Sequence, residues 1–337
     1  MNSFGRIFRV HIFGESHGEC VGITIDGCPA GLPLSVDDFI TDMERRKGGS
    51  KGTTPRKEDD IPQIKTGLFN GKTTGAPITI LFDNANIRST EYEKQRDIPR
   101  PGHADFVAHQ KAGGFEDYRG SGHYSGRLTV CLVAAGIIAK KIPPPPPKGE
   151  AAVSIVAEIL EIGGEKDIEK GLQKAIDAKD SIGGIIECRV NGLPAGLGEP
   201  FFDAAESLIS HAVFAIPAIR AIEFGTGFAA AKMFGSQHND AIMDGKGTTK
   251  TNHAGGIVGG LTNGNELVFR IAVKPTSSTP KEQQSLNWET NGIENFSVKG
   301  RHDLCIALRV PVILEAVTAI VLADLLLLEQ KIPRVIA

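Results

Sequence analysis

Apolar residues fall into two patterns along this chain. Short runs bounded by glycine or polar clusters read as strands: Phe8 to Phe13, Val21 to Asp26, Ile78 to Phe82, Val153 to Ile162, Ile185 to Val190 and Leu267 to Val273. Longer stretches read as helices: Val36 to Arg46, Ala104 to Ala112, Leu128 to Lys141, Asp167 to Ala178, Ala204 to Phe214 and Val312 to Leu328. Ser35, with Asp38 three residues on, resembles a capping box for the first of them. Leu128 to Ala139 is apolar on every side, which predicts a buried helix. Strands and helices mix without strict alternation, so an α+β layered fold is expected rather than a doubly wound sheet.

Pro311 to Leu328 is apolar almost throughout, but Glu315 and Asp324 lie inside it. A central acid costs about 2.5–3.5 kcal/mol on membrane insertion scales. The segment is therefore expected to be a buried helix or a subunit interface, not a membrane span. Pro143 to Pro147 cannot continue a helix and reads as a stiff surface connection. After it, Lys148 to Phe202 carries few polar glycine loops and reads as scaffold.

With 337 residues, 41% of them hydrophobic, the chain can bury a large core, in one big domain or two intimately packed ones. The net charge of −3 gives no global field for nucleic acid or anionic lipid, so anion binding must come from local clusters. Cys20, Cys28, Cys131, Cys188 and Cys305 form no Cys-x-x-Cys pair, and the N-terminus lacks a signal pattern. A reducing cytoplasm is the expected setting.

The polar residues that could do chemistry sit in glycine-flanked loops. Gly14-Glu15-Ser16-His17-Gly18 follows the first strand and offers an acid, a hydroxyl and an imidazole. Arg45 to Lys57 holds six basic residues among small ones, as either a solvated surface loop or a mobile flap over phosphate. Arg100-Pro101-Gly102-His103-Ala104-Asp105 precedes a helix, a setting that favours anions, although His103 alone could be an ordinary core histidine. Tyr118 to Thr129 places Arg119, Ser121, His123, Ser125 and Arg127 just before the buried helix. Later come Gly235 to Asp240, Asn252 to Gly256, Lys274-Pro275-Thr276-Ser277-Ser278 and Gly300 to Asp303. The Lys274 run offers a cation and three hydroxyls, suited to a phosphorylated cofactor. No His-x-x-x-His or Cys-x-x-Cys pair occurs, so no metal site is expected; a Walker loop, a Gly-x-Gly-x-x-Gly after a strand and a Gly-x-Ser-x-Gly elbow are also absent.

Taken together and in order, these loops resemble the chorismate synthase family over residues 5 to 328. The resemblance rests on Phe13 to Gly18, Arg100 to Asp105, Tyr118-Arg119-Gly120 with Ser125 and Arg127-x-Thr129, Gly235-Ser236 with Asp240, Asn252 to Gly256, Lys274 to Ser278 and Gly300 to Asp303. It implies one catalytic domain with a layered β-α-β sandwich, assembled as a homotetramer. The implied reaction is the anti-1,4-elimination of phosphate from 5-enolpyruvylshikimate 3-phosphate, giving chorismate with reduced FMN and no net redox change. Some members of the family reduce FMN themselves with NADPH and others depend on an external reductant, such as a flavin reductase; with no dinucleotide fingerprint visible, the second is expected here.

By resemblance, Arg46, Lys51, Arg100, Arg127 and Arg301 bind the substrate's two carboxylates and phosphate. His17 would protonate the departing phosphate, His103 would lie beside the flavin ring, Ser16 and Ser125 would relay protons, and Asp303 would help take the C6 proton. His103, Ser125, Asn252, Ala254, Lys274, Thr276, Ser277, Ser278, Arg301 and Asp303 would hold the flavin.

The family's fourth loop usually reads Arg-Gly-Gly-Gly-Arg-Ser-Ser-Ala-Arg-Glu-Thr. Here Ser121, His123, Tyr124, Gly126 and Leu128 replace the expected glycine, arginine, serine, alanine and glutamate. Losing the acid after Arg127 removes an expected partner of that guanidinium. Lys51 stands where arginine is common and cannot make its bidentate fork, and Leu304 replaces a proline. Two other readings use the same loops: a flavin-independent phosphatase or phosphate lyase, and a polyanion-binding module. The second needs a basic stripe with interleaved aromatics, and aromatics are only 6%.

Overall fold

The computed structural model describes residues 1–55, 58–85, 96–143, 151–298 and 302–336. Arg56, Lys57, Arg301 and residues 144–147 of the proline tract lie outside them. Two antiparallel sheets enclose a layer of helices. The first runs in the order Ser3–Phe4, Arg9–Gly14, Cys20–Asp26, Ile78–Asp83, Gln63–Ile64; the second in the order Ile219–Phe224, Leu267–Val273, Gly184–Asn191, Ser154–Ile162. Each sheet turns one face to the core. Val21, Ile23, Ile25, Ile78, Ile80 and Phe82 are fully buried at alternate positions, as the two-residue period of a strand requires. On the second sheet Ile186, Cys188 and Val190 point inward. Glu187 and Arg189 point outward between them, and Arg270 Nε donates to Glu187 at 2.7 Å.

The helix Thr129–Lys140 packs on the first sheet and the helix Val310–Leu328 on the second, and the two pack on each other. The layered expectation is met, and the all-round apolar pattern of Leu128 to Ala139 is met by burial of every residue from Thr129 to Ala139. Their crossing is close because it is built from small residues. A Cβ on Gly136 would lie 2.3 Å from that of Ala316. Gly136→Val should therefore push the helices apart and cost about 1–3 kcal/mol, read as a lowered urea midpoint. An unchanged midpoint would mean that the crossing is soft.

The two acids in the long apolar helix each find partners inside the protein. Glu315 accepts two 2.7 Å hydrogen bonds from Arg45, one of 3.0 Å from Lys140 Nζ and one of 3.1 Å from the Ala157 N–H. Burial pushes the Glu315 carboxyl up, but Arg45 and Lys140 outweigh it and hold it below the usual range. Asp324 accepts backbone N–H groups from Arg6, Ile7 and Phe8, fixing the segment before the first long strand. Every residue from Val310 to Leu327 except Pro311 is buried within this one chain. The buried-helix expectation therefore stands. The subunit-interface alternative does not, because the chain's own sheets and helices already cover the helix.

Candidate active site

Several of the glycine loops meet around a cavity of about 720 Å³. Its walls include Arg46, Asp60, Arg100, His103, Ser125, Arg127, Lys274, Thr276, Ser277, Ser278, Asp303 and Arg309. Local geometry explains how each side chain arrives there. Arg46 is the last residue of the helix Ile40–Arg46 and is buried. Arg127 lies in the short turn Gly126–Leu128 that leads into the buried helix, with its N–H accepted by the Ser125 hydroxyl. Thr129, the first residue of that helix, accepts from Arg46 Nη1 at 3.3 Å.

Between the two arginines lies Asp60, buried, with one carboxylate oxygen on Arg46 and the other on Arg127. Burial pushes the Asp60 carboxyl up, but the two guanidiniums prevail and hold it below the usual range. Burial pushes Arg46 down to about 10; Asp60 opposes this, while Arg309 and Arg127 add to it. Arg46 thus stays charged at neutral pH. Asn84 accepts from Arg127 Nε at 2.9 Å and donates to the carbonyls of Glu15 and Gly18. These contacts correct one sequence expectation. The guanidinium of Arg127 keeps its orienting acid although Leu128 replaces the family's glutamate, because Asp60 arrives from 67 residues earlier in the chain.

A second cluster forms around Arg100. Its Nε donates to Asp105 at 2.7 Å, its Nη1 to Ser278 Oγ at 3.0 Å and its Nη2 to Ser121 Oγ at 3.0 Å. His103 Nδ1 faces the same Asp105 at 2.6 Å, and its Nε2 lies 3.2 Å from Ser121 Oγ. Burial raises the Asp105 carboxyl, yet Arg100 and His103 together depress it far below its ordinary value. The Lys274 ammonium donates to Ser277 Oγ at 2.6 Å and to the Gly102 carbonyl at 3.0 Å. Burial, with Arg220 nearby, lowers the Lys274 pKa. Asp303 accepts from the Thr54 N–H at 2.9 Å and pairs with Arg309 at 3.3 Å.

A chorismate synthase family profile matches residues 8–327. Chorismate synthase of Chitinophaga pinensis is 68% identical over 335 residues, covering 99% of each chain. That of Dehalococcoides mccartyi is 44% identical, again over 99% of each. A crystal structure of chorismate synthase superposes with a TM-score of 0.70 at 26% identity, covering 97% of this chain and 93% of that one. The chain belongs to the chorismate synthase family. It is a lyase, and the phosphatase and polyanion-binding readings are set aside.

Within the chorismate synthase frame, the structure brings most of the expected residues together but not all. Arg46, Arg100, Arg127, His103, Ser125, Lys274, Thr276, Ser277, Ser278 and Asp303 share the cavity. Ser16 and His17 are buried just behind its wall, against Gly120. Arg301 lies outside the described residues. Three of the expected residues lie away from the cavity wall. Lys51 points away from the cavity and pairs at 2.8 Å with Glu169, both side chains more than half exposed. Asn252 and Ala254 do not reach the cavity walls either. The Asn252 amide donates to the Glu266 carbonyl while its Oδ1 is buried with no partner among the described residues, and the Ala254 N–H donates to Asp240. Sequence reasoning missed Asp60 and Arg309 as site residues. The Glu58-Asp59-Asp60 cluster after the basic loop was the available signal for the first; nothing local marks Arg309.

An exposed ion pair contributes little. Lys51→Ala should therefore change substrate affinity less than about twofold. A loss of tenfold or more in a binding titration would return Lys51 to the substrate.

Proposed function

We propose how this chain carries out the reaction of its family, the conversion of 5-enolpyruvylshikimate 3-phosphate to chorismate and phosphate. The substrate is a multiple anion, and Arg46, Arg100 and Arg127 take its carboxylates and phosphate. One observation carries this reading: three buried guanidiniums line one cavity, and the Nε of Arg46 is buried with no acceptor among the described residues. A buried donor without a partner is costly, so an anionic ligand is the natural acceptor.

FMN fits the wall formed by Lys274 to Ser278. Lys274, Ser277 and Ser278 offer a cation and hydroxyls to a phosphorylated cofactor, and the Thr276 hydroxyl is buried with no partner among the described residues. When bound, the reduced flavin supplies electron density for the elimination and ends unchanged. His103 stands on the cavity wall with its Nδ1 proton held by Asp105, able to exchange a proton at Nε2. Asp303 is the chain's carboxylate for the C6 proton. His17 is the acid for the departing phosphate. Its ring packs directly behind Gly120 of the cavity wall, where a Cβ would lie 2.3 Å from His17 Cδ2.

The reducing equivalents come from outside the chain, through a flavin reductase. The protein works in the cytoplasm, a reading supported by five unpaired cysteines. It assembles as a homotetramer; the exposed Phe201, Phe202, Phe228 and Phe234 support an association, in place of the long apolar helix. Anaerobic incubation with the substrate and photoreduced FMN, followed by chorismate absorbance, tests the function. Turnover should require reduced flavin without consuming it. Full turnover in flavin-free buffer would remove the cofactor, and phosphate release without chorismate would remove the reaction.

A further inference from the structure

Three consecutive residues in the loop behind His103 take left-handed backbone angles: Gly120 at φ 57°, Ser121 at φ 72° and Gly122 at φ 51°. The outer two have steric reasons to be glycine. A Cβ on Gly120 would strike His17, and one on Gly122 would lie 2.2 Å from the Asp117 carbonyl. The middle residue is a serine, at φ 72° and ψ 11°, where glycine would be unstrained. A left-handed backbone is strained for an L-residue, and such strain persists where something else is gained. Here the gain is visible, because the Ser121 hydroxyl touches both Arg100 and His103.

The hydrogen-bond roles follow from what each partner can do. Arg100 Nη2 also lies 3.1 Å from His103 Nδ1, but its two protons go to Asp105 Oδ1 at 2.8 Å and to Ser121 Oγ; Asp105 only accepts, so His103 Nδ1 carries the proton between them. Arg100 only donates, so Ser121 Oγ accepts from its Nη2 at 3.0 Å. The hydroxyl's own proton is then free for His103 Nε2 at 3.2 Å. Neutral His103 accepts it; if the ring is charged, Nε2 donates to the remaining lone pair. In both states the ring stays oriented, with one nitrogen on Asp105 and the other on Ser121.

We propose that Ser121 is a positioning residue for this reaction: its hydroxyl fixes the Nε2 side of His103 and the Nη2 of Arg100, and the chain accepts a strained backbone to place it. This rests on the reading that His103 acts in the reaction.

The test compares Ser121→Gly, Ser121→Ala and His103→Ala with the unaltered full-length chain. It uses the anaerobic assay with photoreduced FMN, thermal unfolding, and imidazole nitrogen-15 NMR of His103. Ser121→Gly relieves the strain, so its Tm should be no lower than that of the parent, while kcat falls about tenfold for the lost hydrogen bond. KM should rise as Arg100 loosens. Ser121→Ala keeps a Cβ at the same position and should lose the same factor in kcat, so that activity follows the hydroxyl and not stability. The His103 Nε2 resonance should move in both. A Ser121→Gly protein with parental kcat overturns the proposal whatever its Tm, and so does an unmoved Nε2 resonance. If His103→Ala also turns over normally, the reading of His103 itself has failed. A large His103→Ala defect beside a silent Ser121→Gly removes only the role of the serine.

Discussion

Asp60→Asn should be among the most damaging single changes in this protein. It keeps the shape of the side chain but leaves two buried guanidiniums, Arg46 and Arg127, without the charge that sits between them. Breaking a buried ion pair from one side costs about 3–5 kcal/mol, because the remaining charge stays out of water. The unfolding midpoint in urea should drop accordingly. Bound substrate supplies negative charge to the same arginines, so part of the loss should return when the variant is unfolded in its presence. KM should rise more steeply than kcat falls, since the arginines lose their fixed direction while the proton-transfer groups keep theirs. A variant with parental stability and KM would show that the two arginines are held by Asn84, Thr129 and the backbone alone.

His103→Ala should have the largest effect on turnover with little effect on folding. A positioned acid–base group contributes roughly 10²–10⁴-fold. Removing the ring leaves Asp105 still bound to Arg100 through Nε and Nη2, so the loop keeps its principal tie. The expected result is a fall in kcat of at least about a hundredfold, with Tm within a few degrees of the parent. Near-normal turnover in the anaerobic assay would take His103 out of the chemistry. Large destabilisation would show that it is mainly a structural partner of Asp105.

What was legible in the chain alone was local. The strands around Ile23 and Ile80 lie where the periodicity puts them, because burial of one face imposes a two-residue rhythm, and the helices beginning at Thr129 and Val310 lie where long unbroken apolar runs put them, because both are buried on every side. The ordered glycine loops carried the family and most of the cavity wall in the same way. Other features needed the tertiary structure, because they depend on which distant segments meet. Pattern alone could not choose between a buried helix and a subunit interface for Val312 to Leu328; Arg45, Lys140 and the N-terminal backbone, brought to Glu315 and Asp324, decide it. Lys51 carries the right charge in the right loop, yet the path of the chain past the helix Ile168–Ala178 hands it to Glu169. Asp60 looked like one acid in a run of three, and only folding sets it between Arg46 and Arg127. The sequence by itself thus determined the elements, the layered class and the chemistry present in the loops. The fold alone decided which of those charges face one another. A residue's preference for strand or helix is set by its near neighbours, whereas the partner of a buried charge is set by whatever the rest of the chain brings within 3 Å.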